Sequence, residues 1–223
     1  PLLGWHEDYV FVQPEIDAML RAGLEQYQHV SVRLGCESPG ADELRSIARY
    51  VVACDGANSM IREEIGVDLI DLGFDERWFV VDVMLHDAAV PVLPTIIQQV
   101  CDRRRLTTFV PSHGMHRRWE FRLTGDELVP DVWRLLAPWG INAANADLVR
   151  ATVYRFHALM AARWREGDIF LAGDAAHQMP PFMGQGMCSG IRDAANLAWK
   201  LAEVVHDGAD PALLDTYETE RRG

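Results

Sequence analysis

Two short and mostly apolar runs, at 50–54 and 168–172, constrain the fold of this chain most, because each ends in a polar turn that leads towards a helix. Runs of this length and composition are typical of parallel strands buried on both faces. Asp55-Gly56 follows the first run, and Gly173-Asp174 follows the second. Since ligands of α/β sheets bind outside the carboxyl ends of the strands, both turns are candidates for a binding site.

The block between these two units has a different pattern. It predicts strands with partial alternation at 78–85, 107–110, 118–123 and 152–159, and a short helix at 131–136. Elsewhere the sequence predicts strands at 9–12 and 30–34, a helix from Gln13 and a loop at 37–43. The clearest helix follows Gly190, with apolar residues from Ile191 to Val205 at helical spacing. We therefore expect an α/β domain with a mostly antiparallel sheet inserted into it.

Charge and cysteine spacing exclude several classes of function. The chain carries 33 acidic and 21 basic residues, a net charge of −12, which argues against nucleic-acid binding. No apolar run approaches the ~18 residues of a membrane helix, so no membrane span is expected. The four cysteines are too widely spaced for a zinc site, so no metal is expected, and they fit a reducing cytoplasm.

The two strand-end turns have a functional and a structural interpretation. The Asp55 carboxylate can accept hydrogen bonds from sugar hydroxyls, and Gly56 lets the backbone approach a ligand closely. An ordinary turn whose carboxylate caps the next helix explains the same residues. The same alternative applies to Gly173-Asp174. His177 receives no role, because a lone histidine is more often structural than catalytic.

The third motif is the loop Pro180-Pro181-Phe182-Met183-Gly184-Gln185-Gly186-Met187, which leads into the helix near Gly190. The free N–H groups and the positive end of that helix would stabilise an anion, including negative charge on a cofactor ring. A glycine-rich turn without a ligand is the alternative. Two carboxylates at strand ends suit a ribose or ribityl chain, and the three motifs together match the demands of FAD.

These motifs resemble those of the flavoprotein aromatic hydroxylases, the class A FAD-dependent monooxygenases. Residues 50–59 with Ile61-Arg62 resemble their DG motif, and 173–177 resemble their GD motif, followed by the flavin loop. The run 164–201 is most similar to the branch that hydroxylates 3-(3-hydroxyphenyl)propionate. The resemblance implies an α/β fold, an FAD-binding Rossmann-like domain of the glutathione-reductase type with an inserted, mostly antiparallel β-sheet domain for the substrate. It places part of the FAD domain at 1–66, the substrate sheet at 67–162, and the return to the FAD domain at 163–223.

The resemblance also implies roles for individual residues. The residues implied in FAD binding are Gln13, Asp55, Gly56, Gly173, Asp174, Pro180, Gly184, Gln185, Gly186 and Met187. Those considered for substrate binding are Pro181, Phe182, Trp119 and Tyr154; for Trp119 and Tyr154, core and surface positions of an ordinary sheet are the alternative. Arg62 is expected to tie the DG turn together, and no catalytic acid or base is identified. The arginines considered for a substrate carboxylate are Arg104, Arg105, Arg117, Arg118, Arg122 and Arg163.

The activity that the resemblance implies is hydroxylation of a phenolic ring with NADH or NADPH and O2, through a C4a-hydroperoxyflavin. The expected substrate is 3-(3-hydroxyphenyl)propionate or a similar aromatic acid in aromatic catabolism. A hydroxylase of another aromatic or polyketide, a flavin-binding protein without hydroxylase activity, and a non-enzymatic fragment are the alternatives. The sequence is compatible with a homodimer.

One motif of the family is missing from this sequence. The GxGxxG turn that binds the ADP half of FAD does not occur in it. We expect that turn upstream of Pro1 and a further domain downstream of Gly223, and we expect the 223-residue chain alone to be inactive.

Overall fold

The computed structural model describes residues 11–87 and 93–222, and the chain divides into two compact units. Unit 1 contains Pro1–Gly35 and Glu76–Arg155, and unit 2 contains Cys36–Asp75 and Phe156–Gly223. The chain therefore changes unit three times. The domain boundaries expected at 66/67 and 162/163 remain a prediction.

The described elements alternate between short helices and strands of very different length. The α-helices are α1 (Gln13–Leu24), α2 (Ala41–Ile47), α3 (Met60–Glu64), α4 (Val132–Leu136), α5 (Gln185–His206) and α6 (Thr216–Arg221). The strands are β1 (Val51–Ala53), β2 (Leu69–Leu85), β3 (Gln98–Cys101), β4 (Leu106–Val110), β5 (His116–Leu123), β6 (Ala146–Ala161), β7 (Arg165–Glu166), β8 (Ile169–Leu171) and β9 (His177–Gln178). Within the described ranges, no helix is both long and apolar enough to cross a membrane.

Unit 2 is built on a sheet with the strand order β1-β8-β7. β1 and β8 are parallel, with Val51 opposite Ile169 and Ala53 opposite Leu171, as the sequence predicts. Burial differs between the two strands: β8 is fully buried, whereas Val52 of β1 is 39% exposed. The expectation that both strands are buried on both faces is therefore wrong for β1, because β1 is an edge strand of this sheet and β8 is the central one.

The long helix α5 differs from its prediction at its start and in its buried face. It begins at Gln185, before Gly190, and its buried residues are Asp193, Leu197, Lys200 and Val204. The predicted apolar face is largely exposed, including Ile191 and Val205. The reason is that Asp193 and Lys200 both have polar partners, so a carboxylate and an ammonium group occupy buried positions that sequence patterning reserves for apolar residues.

Unit 1 contains most of the antiparallel sheet, with the order β3-β4-β5-β2-β6. The pairs β3/β4, β4/β5 and β2/β5 are antiparallel, which confirms the sheet predicted for the middle of the chain. One face packs against α4 and the following turn. There the ring of Trp119 lies 5.1 Å from that of Phe109 and 5.8 Å from that of Trp139. β2 and β6 continue into unit 2, where the end of β6 pairs with β9.

Three local predictions near the start of the chain differ from the structure. The strand predicted at 9–12 lies partly outside the described residues, and 11–12 are not in a strand. Residues 30–34 form no strand, because none of the described strands pairs with them and an isolated strand is unstable. The loop predicted at 37–43 ends early. α2 begins at Ala41, whose N–H donates to the Glu64 carboxylate at 2.6 Å.

Candidate functional site

The two strand-end turns of unit 2 lie side by side. Because β1 and β8 are parallel and in register, their carboxyl ends lie at one edge of the sheet. The Ala172 N–H donates to the Ala53 carbonyl at 3.0 Å, so the pairing continues one residue beyond β8. The turns that begin with Asp55 and Gly173 are therefore neighbours.

A buried arginine ties the two turns together. The guanidinium of Arg62 donates to the Ala57 carbonyl at 3.1 Å and to the Ala175 carbonyl at 3.2 Å. The Gln178 side-chain amide donates to the same Ala57 carbonyl at 2.9 Å. The expectation that Arg62 ties the DG turn is confirmed, and the structure adds that Arg62 also binds the GD turn.

The Asp55 carboxylate is used within its own turn. One oxygen accepts a hydrogen bond from the Ser59 hydroxyl at 2.5 Å, and the other accepts one from the Ile61 N–H at 3.1 Å. These bonds fit the helix-start interpretation, because both donors lie at the beginning of α3. Gly56 has φ +84°, a conformation that L side chains rarely adopt, and a Cβ there would meet open space. The turn thus leaves its backbone accessible beside Gly56.

In the GD turn, the Asp174 carboxylate is exposed and the Gly173 backbone is fixed by contacts with α5. Gly173 has φ +60°, and a Cβ on Gly190 of α5 would lie 3.5 Å from the Gly173 Cα. The Gly173 N–H donates to Asp193 at 3.0 Å. Asp174 is exposed, and no hydrogen bond joins its side chain to another described residue. Its carboxylate is therefore available to accept hydrogen bonds from a ligand.

Behind the GD turn lies a buried network that the sequence did not predict. Asp193 is fully buried and accepts hydrogen bonds from the ring of His177 at 2.7 Å and from the guanidinium of Arg221 at 2.9 Å, in addition to the Gly173 N–H. Burial raises the pKa of Asp193, but the bonds from His177, Gly173 and Arg221 outweigh burial and hold that pKa below its ordinary value. Asp193 is therefore an ionised carboxylate, to which His177 donates from Nε2.

An aromatic residue fixes α6 to the strand that carries the GD turn. The Tyr217 hydroxyl donates to the Leu171 carbonyl at 2.9 Å, and the ring packs against Trp164 and Phe170. Burial raises the pKa of Tyr217 above its ordinary range. The sequence signal for this contact was an aromatic residue, Tyr217, at the start of the otherwise polar and charged stretch 217–222.

The proline–glycine loop leads directly into α5. A 3₁₀ turn, Phe182–Gly184, precedes the helix, and the Phe182 ring meets Phe74 edge-on at 5.7 Å. Gly184 has φ +63° and occupies the N-cap position, where no side chain caps the helix. The first turn of an α-helix has N–H groups without intrahelical partners, so this end of α5 can bind an acceptor or an anion.

Three further predicted residues lie in unit 1. Gln13 is exposed at the first position of α1. Trp119 is completely enclosed between Phe109 and Trp139, a placement that favours core packing over substrate contact. Tyr154 is 38% exposed on β6, and its hydroxyl accepts a hydrogen bond from Arg150 at 3.1 Å.

Among the described residues, no three His, Cys, Asp or Glu side chains are grouped to hold a metal ion.

Comparison with protein families and curated proteins gives consistent matches. A family model described as an FAD-binding domain matches residues 2–223. A probable NADH-specific resorcinol 4-hydroxylase of Rhodococcus jostii (strain RHA1) is 40% identical over 241 aligned residues, covering 98% of this chain and 45% of the relative. A 3-(3-hydroxy-phenyl)propionate/3-hydroxycinnamic acid hydroxylase of Mycobacterium sp. (strain JLS) is 39% identical over 238 residues, covering 98% of this chain and 41% of the relative. The chain thus spans less than half the length of these relatives.

Solved structures show the same fold. Aklavinone-11 hydroxylase, in a ternary complex with FAD and aklavinone, has a TM-score of 0.67 and 30% identity over 78% of this chain and 34% of that chain. The rebeccamycin biosynthetic enzyme RebC in its substrate-free form has a TM-score of 0.69 and 27% identity over 81% of this chain and 38% of that chain.

Proposed function

This chain belongs to the FAD-binding domain family, and from this premise we propose that it is part of a flavin-dependent monooxygenase that hydroxylates a phenolic ring with NADH and O2. The observation that carries the proposal is the pairing of the two turns at one sheet edge, with Arg62 bound to both. The hydroxylase names of the relatives support the reaction class.

The residues of unit 2 fit FAD. A ribityl chain offers hydroxyl donors, and Asp174 offers an exposed carboxylate without a partner among the described residues. A pyrophosphate and a pyrimidine edge need N–H donors and close backbone approach. The uncapped start of α5 and the open space beside Gly56 and Gly184 supply both.

We propose the following roles in cofactor binding for residues of this chain. Asp174 would accept hydrogen bonds from the ribityl hydroxyls. The hydrogen bond from the Gly173 N–H to Asp193 fixes the position of the turn that carries Asp174. Backbone N–H groups at Gln185, Gly186 and Met187 would hold the flavin and would stabilise negative charge on it, because they lie at the positive end of α5. Asp55 acts on the cofactor through the turn it braces. Bound FAD supplies the redox chemistry and the activation of oxygen.

The residues we propose for substrate contact are Pro181 and Phe182 in unit 2 and, on separate grounds, Tyr154 in unit 1. Pro181 and Phe182 belong to the loop that carries the flavin-facing N–H groups, and Tyr154 is half-exposed with a polar hydroxyl. Trp119 is left out, because it is enclosed in the core. Gln13 stays a proposed cofactor contact on the family resemblance alone.

NADH is proposed as the reductant because the Rhodococcus relative is named NADH-specific. The cytoplasm is proposed as the location because all four cysteines are free thiols, which suits a reducing compartment. The homodimer suggested by the sequence stays a proposal, and light scattering on the full-length protein tests it.

The experiment that tests the function uses the full-length protein that contains this chain, reconstituted with FAD. We expect NADH oxidation to accelerate when resorcinol or 3-(3-hydroxyphenyl)propionate is added, with formation of a hydroxylated product detected by mass spectrometry. A protein that binds FAD but shows no phenol-stimulated oxidation would instead be a flavin-binding protein without hydroxylase activity.

A further inference from the structure

One face of the unit 1 sheet carries a charged cluster around a buried aspartate. Trp119, Phe121 and Leu123 of β5 are buried on the core side. Because side chains alternate along a strand, Arg118 and Glu120 belong to the opposite face. The β2/β5 register places Asp82 directly opposite Arg118.

Asp82 holds two arginines at once. The Arg118 Nε donates to one carboxylate oxygen at 2.8 Å, and the Arg150 Nε donates to the other at 2.7 Å. A terminal nitrogen of Arg150 lies 2.5 Å from that second oxygen and forms an ion pair with it. The Asp82 side chain is 3% exposed, whereas Arg118 and Arg150 are 36% and 39% exposed. Two permanent positive charges therefore meet one buried negative charge, and the cluster keeps an excess of positive charge on its solvent side.

Other titratable groups lie on the same face. Burial raises the pKa of Asp82, but the hydrogen bonds from Arg118 and Arg150 outweigh it and lower that pKa, so this carboxylate stays ionised. Burial raises the pKa of Glu120, so this carboxylate takes up a proton at a higher pH than an ordinary glutamate does. His116 lies 3.2 Å from the first Asp82 oxygen and would add positive charge if protonated.

The two arginines differ in how many of their guanidinium nitrogens have partners among the described residues. Arg150 also donates to the Tyr154 hydroxyl at 3.1 Å, so each of its three nitrogens has a partner. Arg118 is bound through Nε, and its two terminal nitrogens make no hydrogen bond with any other described residue. That end of a guanidinium is a planar fork, and it matches the two oxygens of a carboxylate.

We propose that Arg118, held by Asp82 and supported by the charge of Arg150, binds the carboxylate of an aromatic acid substrate. The proposal rests on the hydroxylase function proposed above and narrows it. The substrate is an aromatic acid such as 3-(3-hydroxyphenyl)propionate, in preference to an uncharged diphenol such as resorcinol. Tyr154, which the sequence associates with the substrate, is hydrogen-bonded to the same cluster.

The test compares Arg118→Gln with a matched control, Arg122→Gln. Arg122 lies four residues further along the same face of β5, is 38% exposed, and pairs with Glu76. Binding of each phenol to the oxidised, FAD-loaded full-length protein is measured by calorimetry without NADH, so that no turnover occurs. Arg118→Lys, which keeps the charge but loses the fork, serves as a second variant, and thermal melting verifies that each variant is folded.

We expect Arg118→Gln to raise the Kd for 3-(3-hydroxyphenyl)propionate by about 10- to 100-fold, the effect of losing a charge-assisted hydrogen bond, and Arg118→Lys to raise it less. We expect Arg122→Gln to leave that Kd within about twofold and resorcinol affinity to be the same in every variant. An equal loss for the acid and for resorcinol overturns the proposal. So does a loss confined to FAD retention or NADH use, which would place a cofactor phosphate at Arg118.

Failure of the inference and failure of the proposed function give different results. A wild-type protein that hydroxylates resorcinol but does not bind the acid retains the function and overturns the inference. A wild-type protein that binds the acid through Arg118 but shows no phenol-stimulated NADH oxidation supports the inference and overturns the function.

Discussion

The ring of His177 lies 2.7 Å from the carboxylate of Asp193, and both side chains are buried directly behind the GD turn. The same carboxylate oxygen accepts the Gly173 N–H, and the other oxygen accepts a bond from Arg221 of α6. One ionised group thus connects β9, the GD turn and α6 to α5. The turn that carries the exposed Asp174 is therefore held from behind, through the Gly173 N–H, by the buried Asp193 and its partners.

Replacing Asp193 with Asn should destabilise the full-length protein by about 3 kcal/mol or more, because it removes one partner of a buried ion-paired network. It should also reduce FAD retention, since the Gly173 N–H loses a charged acceptor. Urea unfolding and the flavin-to-protein absorbance ratio measure the two effects. Unchanged stability together with unchanged flavin content would show that the network does not hold the turn.

The stabilising effect of Asp193 should depend on pH in a defined direction. Its pKa in the folded chain lies below the ordinary value of 3.8, so its contribution is complete above that value and is lost as the pH falls through the folded-state pKa. The difference in melting temperature between wild type and Asp193→Asn should therefore be constant near neutral pH and shrink only below about pH 4. A difference that grew on acidification would contradict this assignment.

Replacing Asp174 with Ala should weaken FAD retention without affecting the fold, because the side chain is exposed and makes no hydrogen bond to another described residue. Loss of a hydrogen bond to the ribityl chain is expected to raise the Kd for FAD by about tenfold. Asp168→Ala is the matched control, since Asp168 is an exposed aspartate before the opposite end of β8. Equal flavin content in the two variants would remove Asp174 from the cofactor site.

Replacing Arg62 with Met should cost about 1–3 kcal/mol of stability, because the Ala175 carbonyl loses its guanidinium donor and stays buried. The Ala57 carbonyl also loses the guanidinium but keeps the hydrogen bond from the Gln178 amide. Arg163→Met should cost less than about 1 kcal/mol, because that arginine is exposed and pairs with Glu166 at the surface. Chemical denaturation ranks the two variants, and a reversed order would contradict the role given to Arg62.

Replacing Trp119 with Ala should destabilise unit 1 by about 3–5 kcal/mol, since it removes a fully buried indole from contact with Phe109 and Trp139. A milder change, Trp119→Phe, should leave the Kd for the phenol unchanged in the folded protein. A selective loss of substrate affinity in Trp119→Phe would restore the sequence-based assignment of Trp119.

Tyr154→Phe should leave stability nearly unchanged and alter substrate binding instead, because Tyr154 is half-exposed.

The sequence predicts the arrangement of the two turns well, because that arrangement depends on local signals. A run such as Ile169-Phe170-Leu171-Ala172 followed by a glycine indicates a buried strand and a turn, and parallel pairing then places the two turns together. The buried face of α5 could not be predicted in this way. Asp193 and Lys200 are buried through partners distant in the chain, His177, Arg221 and Thr216 among them, and periodicity has no information about such partners.

The choice among the arginines illustrates the same limit. Six arginines were considered as binding partners of a substrate carboxylate. Three of them are paired with glutamates in the structure: Arg105 with Glu127, Arg122 with Glu76 and Arg163 with Glu166. Arg150 was not among the six, although it shares Asp82 with Arg118 from a strand about 30 residues further along the chain. The β2/β5 register brings Asp82 and Arg118 together, and the hydrogen bond from Arg150 to Asp82 completes the cluster.

The most direct test of the account is product analysis under ¹⁸O₂ with the full-length protein, FAD, NADH and 3-(3-hydroxyphenyl)propionate. The account predicts a catechol-type product that carries one ¹⁸O atom, formed with NADH oxidation that the substrate stimulates. Bound FAD without any labelled product from this acid or from resorcinol would contradict the claim that this chain belongs to an aromatic hydroxylase.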